Sequence, residues 1–479
     1  MPVPLALPPP PVEVHLEADP ALVDQAYSPP RGSPRYRSRG TRPATIDSIV
    51  SETYPIRVHW SQAGDRGRAV EVMGWAELSW AVQVDELGFR EPVLPDDTHG
   101  PELDIYLSDL PGNEGWTWYE PVDVVTGDGY MGATVYIELA RELPMSWYAS
   151  YVSHEFNHAL QNATDFTEES TTVREASSVA AQLWTVGHDD AYWDWDVPDF
   201  QALPWVPVLV GDGWWLWDYM EIWSFYEYGA ALWMIHLDEV HGDGDGSMGP
   251  RLWEAMAAET WSGEPDVAEG LQTVTGLDLG GALCSIARSR VLVGELWDDR
   301  GLADAEAWGE EQMVPMAAEL ALDDLPTDVA PDPAPAVTGQ AFFDVALDGR
   351  DGDLEVRVES EDELGSALLV LWWGDDGSVG EEVGSDQVVL PTEGVERVIV
   401  ALTNLGPPGW DAEDYAWDGG DQVVHFEYWE PDTYPGDEEE DPTSCGCVGA
   451  GAATGWWALP LGLILARRRR GGGDSSGRR

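Results

Sequence analysis

The chain has 479 residues, more than one hydrophobic core usually organises, so two folded units with tails are expected. Its formal net charge of -65 at pH 7 excludes nucleic acid and anionic lipid as partners of the folded part, because like charges repel phosphate. The three cysteines offer no disulfide framework, since Cys445 and Cys447 are one residue apart.

Residues 1–50 are rich in proline, arginine, serine and glycine, with little hydrophobic periodicity. This composition predicts a disordered leader or a pro-segment. The first residues, Met1-Pro-Val-Pro, lack the basic start of a secretory signal. An export signal would therefore require a start codon upstream of this one.

Residues 51–325 are expected to form an α+β unit in which strands come first and helices follow. Alternating apolar residues predict the strands, and apolar residues at helical spacing predict the helices. The expected strands are 56–60, 103–107 and 133–139. The expected helices are 70–87, 147–162, 172–186, 219–240, 250–260 and 280–293.

A proline-spaced linker over residues 326–335 is expected to stay extended. Beyond it, residues 336–430 contain short alternating runs separated by Gly/Asp turns, a pattern typical of a small antiparallel β-sandwich. These runs are 341–347, 354–358, 368–372, 395–402 and 422–428.

The residues His154-Glu155-Phe-Asn-His158 match the H-E-x-x-H pattern inside the predicted helix 147–162. Residues four apart lie on one helix face, so both imidazoles can reach one metal ion, and Glu155 lies beside it. We expect His154 and His158 to be zinc ligands and Glu155 to be the general base for a zinc-activated water.

A catalytic zinc site also needs a third protein ligand. Asp165, Glu168, Glu169 and Glu175 follow the motif closely in sequence. Glu175 is favoured because it alone opens a helix of small residues, which lets that helix approach the first one closely.

The segment His154–Gln161, followed by Glu175-Ala-Ser-Ser and then Tyr228–Trp233, resembles a family of gluzincin metalloproteases found in myxobacteria and related bacteria. The resemblance extends over about residues 54–300 and includes upstream pieces at 58–60, 87–89 and 104–107. It implies a zincin-like metallopeptidase fold with His154, His158 and Glu175 as metal ligands and Glu155 as the base.

Three further features concern the same chemistry. A donor for the oxyanion is expected, and Tyr228 is ranked first among four candidates, the others being Tyr226, His236 and His241. The strand 133–139 is either an edge strand that pairs with an extended peptide or an ordinary sheet member. The loop 241–247 resembles part of a calcium loop, but Leu252 occupies the last acidic position, so a solvated turn is favoured and Ca²⁺ stays a second candidate cofactor.

The C-terminus combines an acidic spacer over residues 431–444 with a segment 445–470 that holds Cys-Gly-Cys, the apolar stretch 448–466 and four arginines. The apolar stretch is long enough to cross a bilayer as a helix. The order is similar to the myxobacterial C-terminal sorting signal of the MYXO-CTERM type. That resemblance implies a sorting peptidase as partner, cleavage near the cysteines and display on the outer membrane.

Together these features predict a secreted zinc metallopeptidase at the bacterial cell surface that hydrolyses protein or peptide substrates. Two alternatives stay open. One is a surface adhesin or binding protein, carried by residues 336–430, with an inactive peptidase fold. The other is a zinc aminopeptidase, for which Glu138 is the candidate amine-binding acid.

Overall fold

The computed structural model describes residues 42–95, 100–110, 115–120, 130–166, 168, 170–187, 192–209, 216, 222, 224–257, 265–303, 305–360, 364–409, 420, 422–431 and 433. These residues belong to one compact unit that ends at Thr433. The predicted leader up to position 41 and the sorting signal with its apolar stretch 448–466 lie outside the described residues. Within the described part, no helix is long and apolar enough to cross a membrane.

The fold is α+β, as predicted, and its first sheet is mixed. In spatial order this sheet contains β1 (Asp47–Val50), β2 (Ile56–Trp60), β3 (Leu103–Ser108), β5 (Thr134–Ala140) and β4 (Gly115–Glu120). Strands β2, β3 and β5 run parallel, whereas β1 and β4 are antiparallel to their neighbours.

The strand predicted at 133–139 is an ordinary sheet member. In β5, Ile137 pairs with Ile105 of β3 on one side and with Thr117 of β4 on the other. The edge-strand alternative for this segment is therefore wrong. Among the described residues, β4 is the strand at this edge of the sheet.

Most of the predicted helices are present with shifted ends. They are α1 (Arg66–Ser79, continued by a π-helical stretch Trp80–Glu86), α2 (Tyr148–Thr164), α3 (Thr171–Val186), α4 (Val197–Ala202), α5 (Tyr226–Gly229), α6 (Ala231–His241), α7 (Met248–Met256), α8 (Val267–Thr275) and α9 (Leu279–Val291). In the segment predicted as the helix 219–240, the described residues 222, 224 and 225 are not helical, and the described helix begins at Tyr226. Beside it, the backbone N–H of Phe225 donates to the carboxylate of Asp199 at 2.6 Å.

One face of the first sheet packs against the helices. Val135, Ile137 and Leu139 of β5 share a hydrophobic core with Val152 and Phe156 of α2, and all five side chains are fully buried. Because side chains alternate along a strand, the residues between them in β5 face the other side of the sheet.

Residues 318–429 contribute two further sheets that pack face to face. The first contains, in order, β11 (Val379–Gly384), β10 (Gly365–Gly374), β13 (Val395–Gly406), β8 (Gln340–Ala346) and β6 (Ala318–Ala321). The second contains β12 (Gln387–Pro391), β9 (Asp353–Ser360), β14 (Gln422–Trp429) and β7 (Thr327–Val329). All five predicted strand runs are confirmed, and β6 and β7 add strands from residues assigned to the first unit and the linker.

Helix α9 connects the helices to this pair of sheets. Cys284 and Ala287 of α9 share a buried cluster with Leu369 of β10 and Ile399 of β13. The neighbouring Arg290 is fully buried and donates to the carbonyl oxygen of Phe200 at 2.6 Å. The contact between the two parts is therefore apolar, with a buried arginine beside it.

Candidate metal centre

Helices α2 and α3 bring three potential metal ligands to one point. Nε2 of His154 lies 3.2 Å from Nε2 of His158 and 3.0 Å from Oε2 of Glu175, and the His158–Glu175 distance is 3.3 Å. Ligand atoms about 2.0–2.1 Å from one tetrahedral zinc ion lie about 3.3–3.4 Å from each other. The three atoms are therefore spaced as the ligands of a single small ion would be. Among the described residues, these three side chains form a cluster that could hold one metal ion.

Hydrogen bonds to the far side of the His158 ring determine which nitrogen is available to a metal. The Nε2 of Gln161 donates to Asn157 at 2.7 Å and to Ser177 at 2.9 Å, so the Oε1 of Gln161 faces Nδ1 of His158 at 2.9 Å. Since that oxygen only accepts, Nδ1 carries the hydrogen and Nε2 keeps its lone pair for the cluster. The hydroxyl of Ser178, 3.1 Å from the same Nδ1, adds a contact from α3.

Glu175 is positioned by the start of α3. The helix is capped by Ser170, whose hydroxyl accepts from the N–H of Val173 at 3.1 Å. The small residues Ser177 and Ser178 that follow Glu175 are fully buried against α2, as the sequence predicted. Burial alone would raise the pKa of Glu175, but His158 and His154 more than offset it and hold that pKa well below its usual range.

The side chain of Glu155 extends from α2 toward β4. The hydroxyl of Thr117 donates to its Oε2 at 2.7 Å and to its backbone oxygen at 2.8 Å. Gly115 approaches so closely that a Cβ there would lie 2.7 Å from Oε1 of Glu155. Burial raises the pKa of Glu155, while His158, His154 and Thr117 partly counteract that rise. A carboxylate whose pKa is moved toward neutrality suits the role of a general base.

Tyr228 is the oxyanion candidate that the structure brings to this cluster. Its ring stacks on that of His154, with centroids 5.8 Å apart and 26° between the planes. Tyr226 is instead buried, and its hydroxyl donates to the backbone oxygen of Val206 at 3.0 Å. Burial raises the pKa of Tyr226 to about 12.

The two histidine candidates for the oxyanion donor meet elsewhere. Nε2 of His236 and Nε2 of His241 lie 3.1 and 2.9 Å from the hydroxyl of Ser285 in α9. Burial lowers the pKa of His236 to about 3, so this ring stays neutral. Neither contributes to the cluster of His154.

The other candidates for the third ligand have different contacts. Asp165 ends α2, and its N–H donates to the backbone oxygen of Gln161 at 2.8 Å. The carboxylate of Glu168 accepts from the N–H of Ser170 at 2.7 Å. Glu169 lies outside the described residues. Among the described residues, the cluster contains Glu175 and neither of the other two.

The amine-binding role predicted for Glu138 does not fit its position. Its neighbours Ile137 and Leu139 face the core shared with α2, so Glu138 points to the opposite side of the sheet. There it accepts a hydrogen bond from the hydroxyl of Ser108. This expectation of the aminopeptidase alternative is therefore wrong.

The loop 241–247 is closed by hydrogen bonds within the protein. The carboxylate of Asp238 accepts from the N–H of Gly246 at 2.7 Å and from that of Met248 at 3.0 Å. Asp245 accepts from the N–H of Ser247 at 3.0 Å. These contacts account for the turn, and calcium binding there stays a prediction from the sequence.

Two supporting elements of the site were missed in the sequence. One is β4 with Gly115 and Thr117, whose alternating Gly-Trp-Thr-Trp-Tyr pattern is typical of a strand. The other is Gln161, which stands three residues after His158 and therefore on the same helix face.

Comparisons with known proteins identify no family. No protein-family model matches the chain, and no curated protein matches it. Among solved structures, the Yersinia pseudotuberculosis-derived mitogen is 13% identical, with 24% of this chain and 94% of that chain covered and a TM-score of 0.16. The pre-peptidase C-terminal domain of a collagenase from Bacillus anthracis is 11% identical, with 24% and 96% covered and a TM-score of 0.15. Likeness at this level says nothing about the fold or function of this chain.

Proposed function

We propose that this chain is a zinc-dependent metallopeptidase with a zincin-like catalytic unit, in which His154, His158 and Glu175 hold the ion. The observation that carries the proposal is the spacing of their ligand atoms, 3.0–3.3 Å, which suits one tetrahedral ion. Two nitrogens and one carboxylate oxygen form a ligand set that zinc accepts, and it leaves a fourth position for water or substrate.

The residues around the cluster suit peptide hydrolysis. A bound zinc ion would lower the pKa of a water molecule and polarise the scissile carbonyl. Glu155 accepts the proton of the attacking water and returns it to the leaving amine, while the Thr117 hydroxyl, 2.7 Å from Oε2, holds the carboxylate in place. The hydroxyl of Tyr228, whose ring stacks on His154, supplies a donor for the oxyanion.

The position of β4 favours an extended peptide substrate. Among the described residues this strand lies at the edge of the sheet, and its residues Gly115 and Thr117 contact Glu155. A peptide that adds to that edge as a further strand passes beside the general base. This arrangement accepts internal segments of a chain, which supports an endopeptidase over an aminopeptidase.

The test combines metal analysis with cleavage of an internally quenched peptide. In Glu155→Gln we expect about one zinc per chain and loss of most activity, because the ligands remain and the base is gone. In Glu175→Ala we expect a loss of zinc affinity that the matched variant Glu168→Ala does not show. Zinc bound to a chain that cleaves no peptide would favour the adhesin alternative, and unchanged turnover in Glu155→Gln would contradict the mechanism.

We also propose that the protein is secreted and held at the outer membrane by the sorting signal 445–470. The supporting feature is the order of acidic spacer, Cys-Gly-Cys, apolar stretch and arginines. Removing 445–479 should release active enzyme into the medium, as measured by cell fractionation. Replacing Cys445 and Cys447 by alanine should prevent processing; a variant that stays on the surface with its tail attached would identify a simple membrane anchor.

A further inference from the structure

The π-helical stretch Trp80–Glu86 packs against α2 at the centre of the H-E-x-x-H motif. The ring of Trp80 contacts that of Phe156, with centroids 5.8 Å apart and 56° between the planes. Gln83 accepts a hydrogen bond from the side-chain amide of Asn157 at 3.1 Å. The stretch therefore contacts both of the variable residues of the motif. Short π-helical segments inside α-helices occur frequently at functional sites.

The side chain of Gln83 is fully buried, and its amide has partners on both sides. Its Nε2 lies 3.0 Å from the backbone oxygen and 3.0 Å from the hydroxyl of Ser153, and 3.2 Å from the hydroxyl of Thr185. Its Oε1 accepts from Asn157. Burial of an amide costs free energy unless the amide is hydrogen-bonded, and a fully bonded polar network makes its surroundings rigid. Gln83 thus joins the π-helical stretch, α2 and α3 at one point.

Hydrogen bonds lead from Gln83 to the ring of His158, and a backbone oxygen sets their direction. The carbonyl of Ser153 only accepts, so Nε2 of Gln83 points to it and Oε1 points to Asn157. Nδ2 of Asn157 donates to Gln83, which leaves its Oδ1 to accept from Nε2 of Gln161 at 2.7 Å. Oε1 of Gln161 then faces Nδ1 of His158 at 2.9 Å. We call Gln83, Asn157 and Gln161 the amide chain.

We propose that Gln83 is a positioning residue for the metal centre, acting on His158 through Asn157 and Gln161. The inference rests on the proposed function, because His158 is one of the proposed zinc ligands. A hydrogen-bond partner on the outer nitrogen of a ligating histidine fixes the orientation of the ring and raises the affinity for the metal. Gln161 is that partner, and Gln83 holds the amide on which Gln161 rests.

The two ends of the amide chain do not contribute equally. Nε2 of Gln161 also donates to the backbone oxygen of Arg174 at 2.9 Å, which imposes the same orientation from α3. Loss of Gln83 therefore loosens the ring of His158 without releasing it. We expect a smaller effect on zinc affinity from Gln83 than from Gln161.

Gln83→Met tests the proposal on the full chain, since methionine has a similar length and no amide. The substitution leaves Nδ2 of Asn157 without its acceptor. We expect zinc affinity, measured by competition with a chromophoric chelator, to fall about tenfold, at the lower end of the range for residues behind a metal ligand. The visible absorption of Co²⁺ bound in place of zinc reports the geometry of the ligands, and its bands should shift in Gln83→Met.

Thr185→Val is the matched control. It removes a hydroxyl that contacts the same amide, while Ser153 still offers that amide two acceptors. Zinc affinity in Thr185→Val should stay within about twofold of the wild type, with unchanged Co²⁺ bands, because the amide chain is intact. Unfolding of the metal-free variants by denaturant measures how much stability each has lost. Unaltered affinity in Gln83→Met, or equal losses of affinity in Gln83→Met and Thr185→Val, would overturn the proposal.

Two further variants separate the amide chain from general destabilisation. Asn157→Ala breaks the chain at its next residue without adding bulk, and should weaken zinc binding at least as much as Gln83→Met. The double variant Gln83→Met with Gln161→Met should bind zinc as well as Gln161→Met alone, because the path is already broken. Unaltered affinity in Asn157→Ala, or losses that add in the double variant, would each contradict an action through Gln161.

The same measurements distinguish this inference from the proposed function. A wild-type chain that binds no zinc would overturn the proposed function and the role of Gln83 together. A wild-type chain that binds zinc, with a Gln83→Met variant that binds it equally well, would overturn the role of Gln83 alone.

Discussion

Two opposing influences act on the pKa of Glu155. Burial between α2 and β4 raises it, because the charged form loses hydration, whereas the two histidines and the hydroxyl of Thr117 stabilise the carboxylate. Burial is the larger effect, so the pKa lies above its ordinary value. A general base acts only when ionised, so activity is expected above this pKa and is lost as pH falls through it.

Thr117→Val should move the acid limb of the pH–activity profile to higher pH. The substitution removes a donor to the carboxylate, so the pKa of Glu155 rises further and more acid-side activity is lost. The profile of kcat/KM against pH measures the shift. Thr117→Ser keeps the hydroxyl and should restore the original limb. An acid limb that does not move in Thr117→Val would assign the titration to a different group.

The three proposed metal ligands could be picked out from the sequence, but the residues that support them could not. His154 and His158 lie on one face of one helix, so their spacing alone determines their geometry. Glu175 required only that a helix of small residues pack nearby. Thr117 reaches Glu155 because β4 pairs with β5, and such long-range pairing leaves no local signal in the sequence.

The close contact between β4 and α2 depends on a residue without a side chain. A Cβ at Gly115 would lie 2.7 Å from Oε1 and 2.8 Å from Cγ of Glu155. Contacts that short require a shift of either the strand or the carboxylate. Gly115 therefore allows the carboxylate of Glu155, the proposed general base, to lie directly against the edge strand.

Gly115→Ala should lower kcat while leaving the zinc content near one per chain, because it displaces Glu155 and not the ligands. A displacement on the order of 1 Å can reduce a rate about 100-fold. Gly67→Ala is the matched control. Gly67 lies in helix α1, and a Cβ added there would have no heavy atom of another residue within 4 Å. That control should keep its activity and gain up to about 1 kcal/mol of stability. Full activity in Gly115→Ala would show that the strand can adjust freely.

Elements with strong periodicity were predicted best, and short elements with capping signals were missed. Helices α2, α3 and α9 were expected within a few residues of their ends, because their apolar positions repeat at helical spacing. Helix α8 was missed, although its sequence carries capping signals at both ends. The carboxylate of Asp266 accepts from the N–H of Ala268 at 2.8 Å, and Gly276 ends the helix in the left-handed conformation, with φ of 69°.

At the scale of the whole molecule, the helices and the paired sheets share buried surface. Cys284 of α9 and Leu369 of β10 belong to one cluster, and both lie within the compact unit that ends at Thr433. Composition predicted separate units because the linker is rich in proline. Composition could not reveal how the two apolar faces of β10 and β13 are used. One face packs against the second sheet, and the other packs against α9.

Leu369→Ala should therefore destabilise the helices and the sheets together. The side chain of Leu369 is fully buried in the shared cluster, so its truncation should lower the free energy of unfolding by about 2–5 kcal/mol. Cys284 reports the contact, since burial raises the pKa of its thiol to about 12 and keeps it unreactive in the folded protein. Alkylation at Cys284, located by mass spectrometry, should occur at the denaturant concentration where fluorescence reports unfolding, and that concentration should be lower in Leu369→Ala.

Val383→Ala is the control, because this side chain is 51% exposed and its truncation should change the free energy of unfolding by about 0.5 kcal/mol or less. Alkylation of Cys284 well before the fluorescence change would mean that the sheets separate from α9 while both remain folded.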